Sequence, residues 1–297
     1  MEMILMGTGT SHGVPVIGCE CPVCKSADPR DSRNRCSAYI RSPADIVIDT
    51  GPEFRIQALK FKIKALDAVL ITHGHADHLN GLDDLRVFSH TKSPDPSNAN
   101  ATETEGRGLS IYANDPALKD IRKRFDYIFT PTKEGGSKPK LSFIDCMDYS
   151  SENPLVIKGL SIVPVPMMHG SLETVGWLMD DFKGSGSIAY LTDCNRIDES
   201  SFSIINGFGK IEHLVLDALR TKPHTTHFSF LEALEAAERI GARHTWFTHM
   251  THNMSHTEIQ DYIDDNLNDF PTLKKIVDEG GTVSPAYDGL ILKNTSD

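Results

Sequence analysis

The chain opens with apolar residues 3–6, a short buried strand broken at once by Gly7-Thr8-Gly9-Thr10. Residues 36–40 and 45–49 are two further β-rich runs, and Arg41-Ser42-Pro43-Ala44 between them predicts a hairpin turn. A short helix over 52–61 and a buried strand over 68–72 (AVLIT) follow. From 77 to 90 the apolar positions are 79, 82, 85 and 88, the spacing of one helix face. Residues 91–108 lose all periodicity and collect Pro, Ser, Asn, Thr and Glu, which reads as a flexible insertion.

The alternation then resumes. Strands are expected at 109–112, 141–144, 155–165, 175–179, 187–192, 213–217, 244–248 and 290–293. Helices are expected at 115–129, with Asn114 or Asp115 as cap, at 228–240, closed by Gly241, and at 256–267. No fixed repeat and no clean linker divides the sequence. The pattern predicts one α/β domain over residues 1–297, with more strands than a simple doubly wound sheet needs.

A 297-residue domain buries roughly three quarters of its unfolded surface, so it needs no disulfides to fold. A hydrophobic fraction of 39% beside 24% charged residues excludes a disordered chain. The net charge of −11 disfavours wrapping extended nucleic acid, which rewards a basic surface. It leaves room for a small phosphorylated substrate held by local charges. No apolar run approaches the ~18 residues of a membrane span. The start shows no basic leader or cleavage site, so a cytoplasmic protein is expected.

The chemistry concentrates in the histidines. His73-Gly74-His75-Ala76-Asp77-His78 directly follows AVLIT and sets four metal-competent side chains within six residues of a strand end. Imidazole and carboxylate together suit zinc, manganese or iron. His73-x-His75-x-Asp77-His78 resembles the metal motif of the metallo-β-lactamase superfamily. The resemblance implies a four-layer αββα sandwich with two Zn or Mn ions at one edge of the sheets. It also implies three later ligands, each just after a strand. His169 follows IVPVPMM, Asp193 follows IAYLT and His249 follows HTWFT, in the family's order. Carried over residue by residue, the likeness implies His73, His75 and His169 on one metal. Asp77, His78 and His249 would hold the second, with Asp193 bridging.

Cys19-x-Cys21-x-x-Cys24, in a Cys-rich loop over 18–36, offers three thiolates. That is one ligand short of a closed tetrahedral zinc site. A hydrolase subgroup of the superfamily, the cyclic-phosphate phosphodiesterase of the carbon–phosphorus lyase pathway, is similar: it carries GCxCxxC in its first loop. Its fourth ligand is a histidine three residues after the last active-site histidine, which here implies His252 and one structural Zn. Cys36, Cys146 and Cys194 stand alone and read as core thiols.

His227-Phe228-Ser229 resembles the same subgroup's phosphate-contacting histidine. It suggests His227 as general acid or phosphate clamp, set before a helix whose positive end would meet a phosphate. His224 and Arg86 are further candidate substrate contacts. Asp77 would also orient a hydroxide bridging the two metals. The expected enzyme is a metal-dependent phosphodiesterase acting on a small cyclic phosphate or nucleotide-like diester. Alternatives from the same superfamily are a tRNA-processing or other nuclease, a thioester or lactam hydrolase, and a non-catalytic metal-binding protein. Residues 91–108 hold only Lys92 and Arg107 as cations, too few for a basic tRNA-binding arm. Superfamily dimers make a homodimer an expectation. Neither the physiological substrate nor the choice between Zn and Mn is written in the sequence.

Overall fold

The computed structural model describes residues 1–89, 108–130, 138–184 and 186–294. The strands are β1 (Glu2–Gly7), β2 (Ser37–Ser42), β3 (Ile46–Ile48), β4 (Ala68–Leu70), β5 (Leu109–Ala113), β6 (Leu141–Asp145), β7 (Leu155–Ile157), β8 (Leu160–His169), β9 (Leu172–Asp180), β10 (Ser187–Leu191), β11 (Ile211–Asp217), β12 (His244–Thr248), β13 (Thr282–Pro285) and β14 (Ile291–Lys293). Among the described residues they form two seven-stranded sheets, ordered β14-β1-β2-β3-β4-β5-β6 and β13-β12-β11-β10-β9-β8-β7. The helices are α1 (Phe54–Lys60), α2 (Ala76–Leu79), α3 (Arg86–Ser89), α4 (Asp115–Arg124), α5 (Asp126–Phe129), α6 (Glu199–Gly207), α7 (Phe230–Ile240), α8 (His256–Asn266) and α9 (Pro271–Asp278).

The strands are apolar on both faces because both faces are covered. Successive residues point to opposite sides, so each strand feeds two cores. Met3, Leu5, Ile40, Ile48 and Leu70 of the first sheet pack against Ile162, Trp177, Met179, Tyr190 and Val215 of the second. Val47, Val69 and Ile111 turn outward onto Phe54, Leu79, Leu82 and Ile121. Leu178, Leu214 and Phe247 turn outward onto Phe202, Phe230, Leu234, Ile259 and Leu273. The layers are therefore helix, sheet, sheet, helix, the αββα sandwich that the motif implied.

Several expected elements change shape. The helix over 77–90 is three pieces: α2, a 3-10 turn at Leu82–Leu85, and α3. Gly81 causes the break, since its N–H bonds the Thr50 carbonyl at 2.8 Å and a Cβ there would overlap the Gly51 carbonyl. Leu79, Leu82, Leu85 and Phe88 stay buried all the same. The strand over 155–165 is an antiparallel hairpin of β7 and β8, turned at Lys158 and Gly159, both at positive φ. The helix over 115–129 divides at Phe125. The helix over 228–240 begins at Phe230, because Ser229 caps it. Three further elements, α6, α9 and β13, join those expected. The insertion read at 91–108 lies outside the described residues except for Gly108. Among the described residues, no helix is long and apolar enough to cross a membrane.

Trp177 lies fully buried between the sheets. Trp177→Ala should therefore lower the unfolding free energy by about 3–5 kcal/mol in urea titration. A loss below about 1 kcal/mol would contradict a well-packed inter-sheet core.

Candidate metal centre

The residues that end β4, β8, β10, β11 and β12 meet at one edge of the sandwich. Beyond β4, Thr72 is locked by the buried carboxylate of Asp49. The Thr72 N–H and hydroxyl each donate to it, at 2.8 Å. Asp49 Oδ2 also accepts from His78 Nδ1 at 2.6 Å, which aims the opposite ring nitrogen away. Asp49 holds φ 60, a left-handed turn that aspartate tolerates better than most side chains. Gly51 lets the motif approach, for a Cβ there would overlap the Asp77 carbonyl oxygen.

Two donor sets result. One donor atom each from His73, His75 and His169 lies within 4.8 Å of the others, and so do those of Asp77, His78, Asp193 and His249. The sets touch: the His73 and His78 ring centroids are 4.3 Å apart. One oxygen, Asp193 Oδ2, lies 3.1 Å from His249 Nε2, 3.3 Å from His78 Nε2 and 3.9 Å from His73 Nε2. Asp77 Oδ2 is 3.3 Å from His78 Nε2. The Nε2 atoms of His73, His78 and His249 are buried without a hydrogen-bond partner. Orphaned nitrogens facing a buried carboxylate are costly unless a cation completes them. The donor set thus fits divalent cations.

The electrostatics point the same way. Burial pushes the His73 imidazole well below its ordinary value, and burial takes His169 down to about 4, so both are ready as neutral ligands. His78 and His249 go the other way. Burial opposes their charge, but Asp193 and its neighbouring carboxylates outweigh it and raise both rings well above their ordinary value. Burial likewise opposes the charge on Asp77 and Asp193, and the histidines overcome it. A cation entering the second set takes the place of those protons.

His227 lies over this floor. Its ring is 4.4 Å from that of His169 and 4.3 Å from that of His249, against which it stacks at 17°. Its Nδ1 is 2.8 Å from Asp217 Oδ2. His224 flanks it at 5.4 Å between ring centroids and accepts the Thr226 N–H. At the start of α7, Ser229 and Glu232 close a reciprocal capping box that takes up their two N–H groups. Arg86 binds the Asp83 carboxylate, which also accepts the Tyr127 hydroxyl.

The cysteines form a separate clamp. His252 Nδ1 lies 3.4 Å from Cys19 Sγ, 3.4 Å from Cys21 Sγ and 3.3 Å from Cys24 Sγ. A tetrahedral ion with arms of ~2.3 Å to sulfur and ~2.0 Å to nitrogen sets its ligands about 3.5 Å apart. The Cys24 N–H donates to Cys21 Sγ and helps lower that thiol to about 6. Cys36, Cys146 and Cys194 are buried and unpaired by disulfides.

Asp49 and Asp217 were not among the sequence candidates. Each closes an apolar run, IVID and LVLD, at the same strand end as the ligands, and that position was the available signal.

Comparison with known proteins bears on the whole chain. A family model described as "Beta-lactamase superfamily domain" matches residues 45–250. A crystal structure of "a new diphosphatase from the PhnP family" is 34% identical, with a TM-score of 0.74, covering 98% of this chain and 96% of that one. Zn(2+)-bound PqqB from Methylobacterium extorquens shares the fold, at 20% identity and TM-score 0.68, covering 99% of this chain and all of that one. An octanoyltransferase of Porphyromonas gingivalis is 32% identical over 286 residues, 95% of this chain but 52% of that protein. The chain thus spans about half the length of that curated relative.

Asp49→Asn should weaken divalent-cation binding by ~10–100-fold, as loss of an orienting partner does. Calorimetric titration of metal-stripped protein measures it. Unchanged affinity would remove the orienting role of Asp49.

Proposed function

We propose that this chain, which belongs to the metallo-β-lactamase superfamily, is a metal-dependent hydrolase of small phosphodiesters, such as a cyclic phosphate or nucleotide-like diester. The observation that carries this reading is His227, backed by Asp217 and set beside ligands of both donor sets. In this reading His73, His75 and His169 hold one cation. Asp77, His78 and His249 hold the other, and Asp193 serves both. The ions are Zn or Mn, and Cys19, Cys21, Cys24 and His252 hold a structural Zn. Bound cations supply Lewis acidity toward a phosphoryl oxygen and lower the pKa of a water nucleophile.

The chain's own groups do the rest. Asp77, held charged by His78 and His249, would orient the attacking water. The His227 Nδ1–H donates a hydrogen bond to Asp217, which fixes the tautomer and the orientation of the ring. Its Nε2 then delivers a proton to the leaving alkoxide, the group that most needs one in a diester. His224 lies alongside as a substrate contact.

The acidic chain favours a small substrate over extended nucleic acid. The related diphosphatase supports phosphorus chemistry at such a centre. The acyl-transfer name belongs to a protein about twice as long, so it is not carried over. A thiolate clamp suits a reducing compartment, which favours the cytoplasm.

Stripping the protein with a chelator should abolish hydrolysis across a panel of small cyclic and linear phosphodiesters, and Zn²⁺ or Mn²⁺ should restore it. Full turnover by verified metal-free protein would refute the reading. His227→Ala should lower kcat by ~10²–10⁴-fold with metal content unchanged, by steady-state kinetics and elemental analysis. Undiminished turnover would exclude His227 as the acid.

A further inference from the structure

We propose that the cysteine clamp is a positioning device for His249, doing for that ligand what a hydrogen-bonding partner does for His73, His78 and His169. The inference rests on the reading that cations fill both the second donor set and the clamp.

The contrast among the buried histidines is the starting point. His73 Nδ1 meets the Thr72 hydroxyl at 3.0 Å, and His78 Nδ1 meets Asp49. His169 Nδ1 donates to the Thr226 carbonyl at 2.6 Å, and His227 Nδ1 meets Asp217. Each ring is aimed by a partner on its far nitrogen. His249 has none: both of its ring nitrogens are buried without a hydrogen bond. Its Nδ1 has no partner, so the ring is aimed by its stack on His227, by the Asp193 carboxylate and by its backbone, which sits at φ 62.

The restraint comes from the short strap that follows. The Met250 N–H donates to the Thr8 carbonyl and the Met250 carbonyl accepts the Thr10 N–H, both at 3.1 Å. Thr8 is itself fixed by buried Arg33, whose guanidinium donates to its hydroxyl at 2.9 Å, and that hydroxyl donates to Asp288 at 2.9 Å. Two residues beyond Met250, His252 enters the clamp. The same loop therefore grips the strap twice, once by backbone at Met250 and once by three sulfurs at His252. The loop is closed on itself by paired backbone bonds between Val14 and Arg33, at 2.8 and 2.7 Å. With the clamp open, the strap keeps its bonds at Met250 and that of the Thr251 N–H to the Leu219 carbonyl at 3.1 Å, but loses its hold on His252, three residues past His249.

The test titrates Co²⁺ into metal-stripped full-length protein. Cobalt–thiolate absorption reports the clamp, and ligand-field bands report the histidine centre. Wild type should take up three ions. In Cys24→Ser the clamp signal should be lost and the Asp77/His78/His249 set should bind ~10–100-fold more weakly, the scale of a lost orienting partner. The His73/His75/His169 set should be unaffected. In a His249→Ala background, Cys24→Ser should add no further loss at the histidine centre. His252→Cys in the wild-type background, which keeps a closed clamp of four thiolates, should leave binding at the second set unchanged. If Cys24→Ser does not fold by circular dichroism, His252→Gln supplies the same comparison at constant volume. Wild type that binds no cobalt sinks the metal reading itself. Wild type that binds three ions, beside a folded clamp variant with full affinity at the second set, overturns this proposal alone.

Discussion

A single buried carboxylate governs the arrangement. Asp193 is 1% exposed, and one of its oxygens lies within 3.9 Å of three imidazole nitrogens. A charge so far from water is tolerated only where positive groups surround it. The topology delivers them. β10, β11 and β12 run parallel, as do β3, β4 and β5, so the carboxyl ends of both groups open at one edge. Ligands at that edge come from loops, but the loops hang from strands buried on both faces. Side chains held this way keep their geometry with little loss of entropy on binding.

The outline of this centre was legible because the same rule repeats along the sequence. An apolar run followed at once by His or Asp marks His73, Asp193 and His249. His169 instead ends β8, yet it obeys the same pattern. Asp49 and Asp217 obey it too, but a lone aspartate after a strand looks like any turn residue, so their role appears only when the fold brings them to a ring nitrogen. The helix over 77–90 was misread for a related reason. Its apolar spacing was real, and burial honoured it, but Gly81 met the Thr50–Gly51 backbone, a contact no local pattern encodes. Charge read from sequence leaves out its local partners: Asp83 stands one helical turn before Arg86 and pairs with it. At the start of α7, likewise, Glu232 takes up the Ser229 N–H.

The buried polar groups outside the centre follow a common economy. Arg33 is 3% exposed and burial lowers it to about 10, yet it is held by Thr8 and the Ala286 carbonyl. Asp288 is raised to about 6, chiefly by burial, and is held by Asn34 and Thr8. Such groups fix loops that no apolar packing could fix, and here the fixed loop is the one lying against the metal-binding strap.

Position 249 makes two demands that seldom coincide. The backbone there asks for glycine, asparagine or aspartate, the types most at ease with a left-handed turn. The chemistry asks for a neutral imidazole. Histidine supplies the imidazole and is itself among the types enriched in that backbone region. A replacement at 249 therefore has to tolerate the left-handed turn and present a metal donor from the same place.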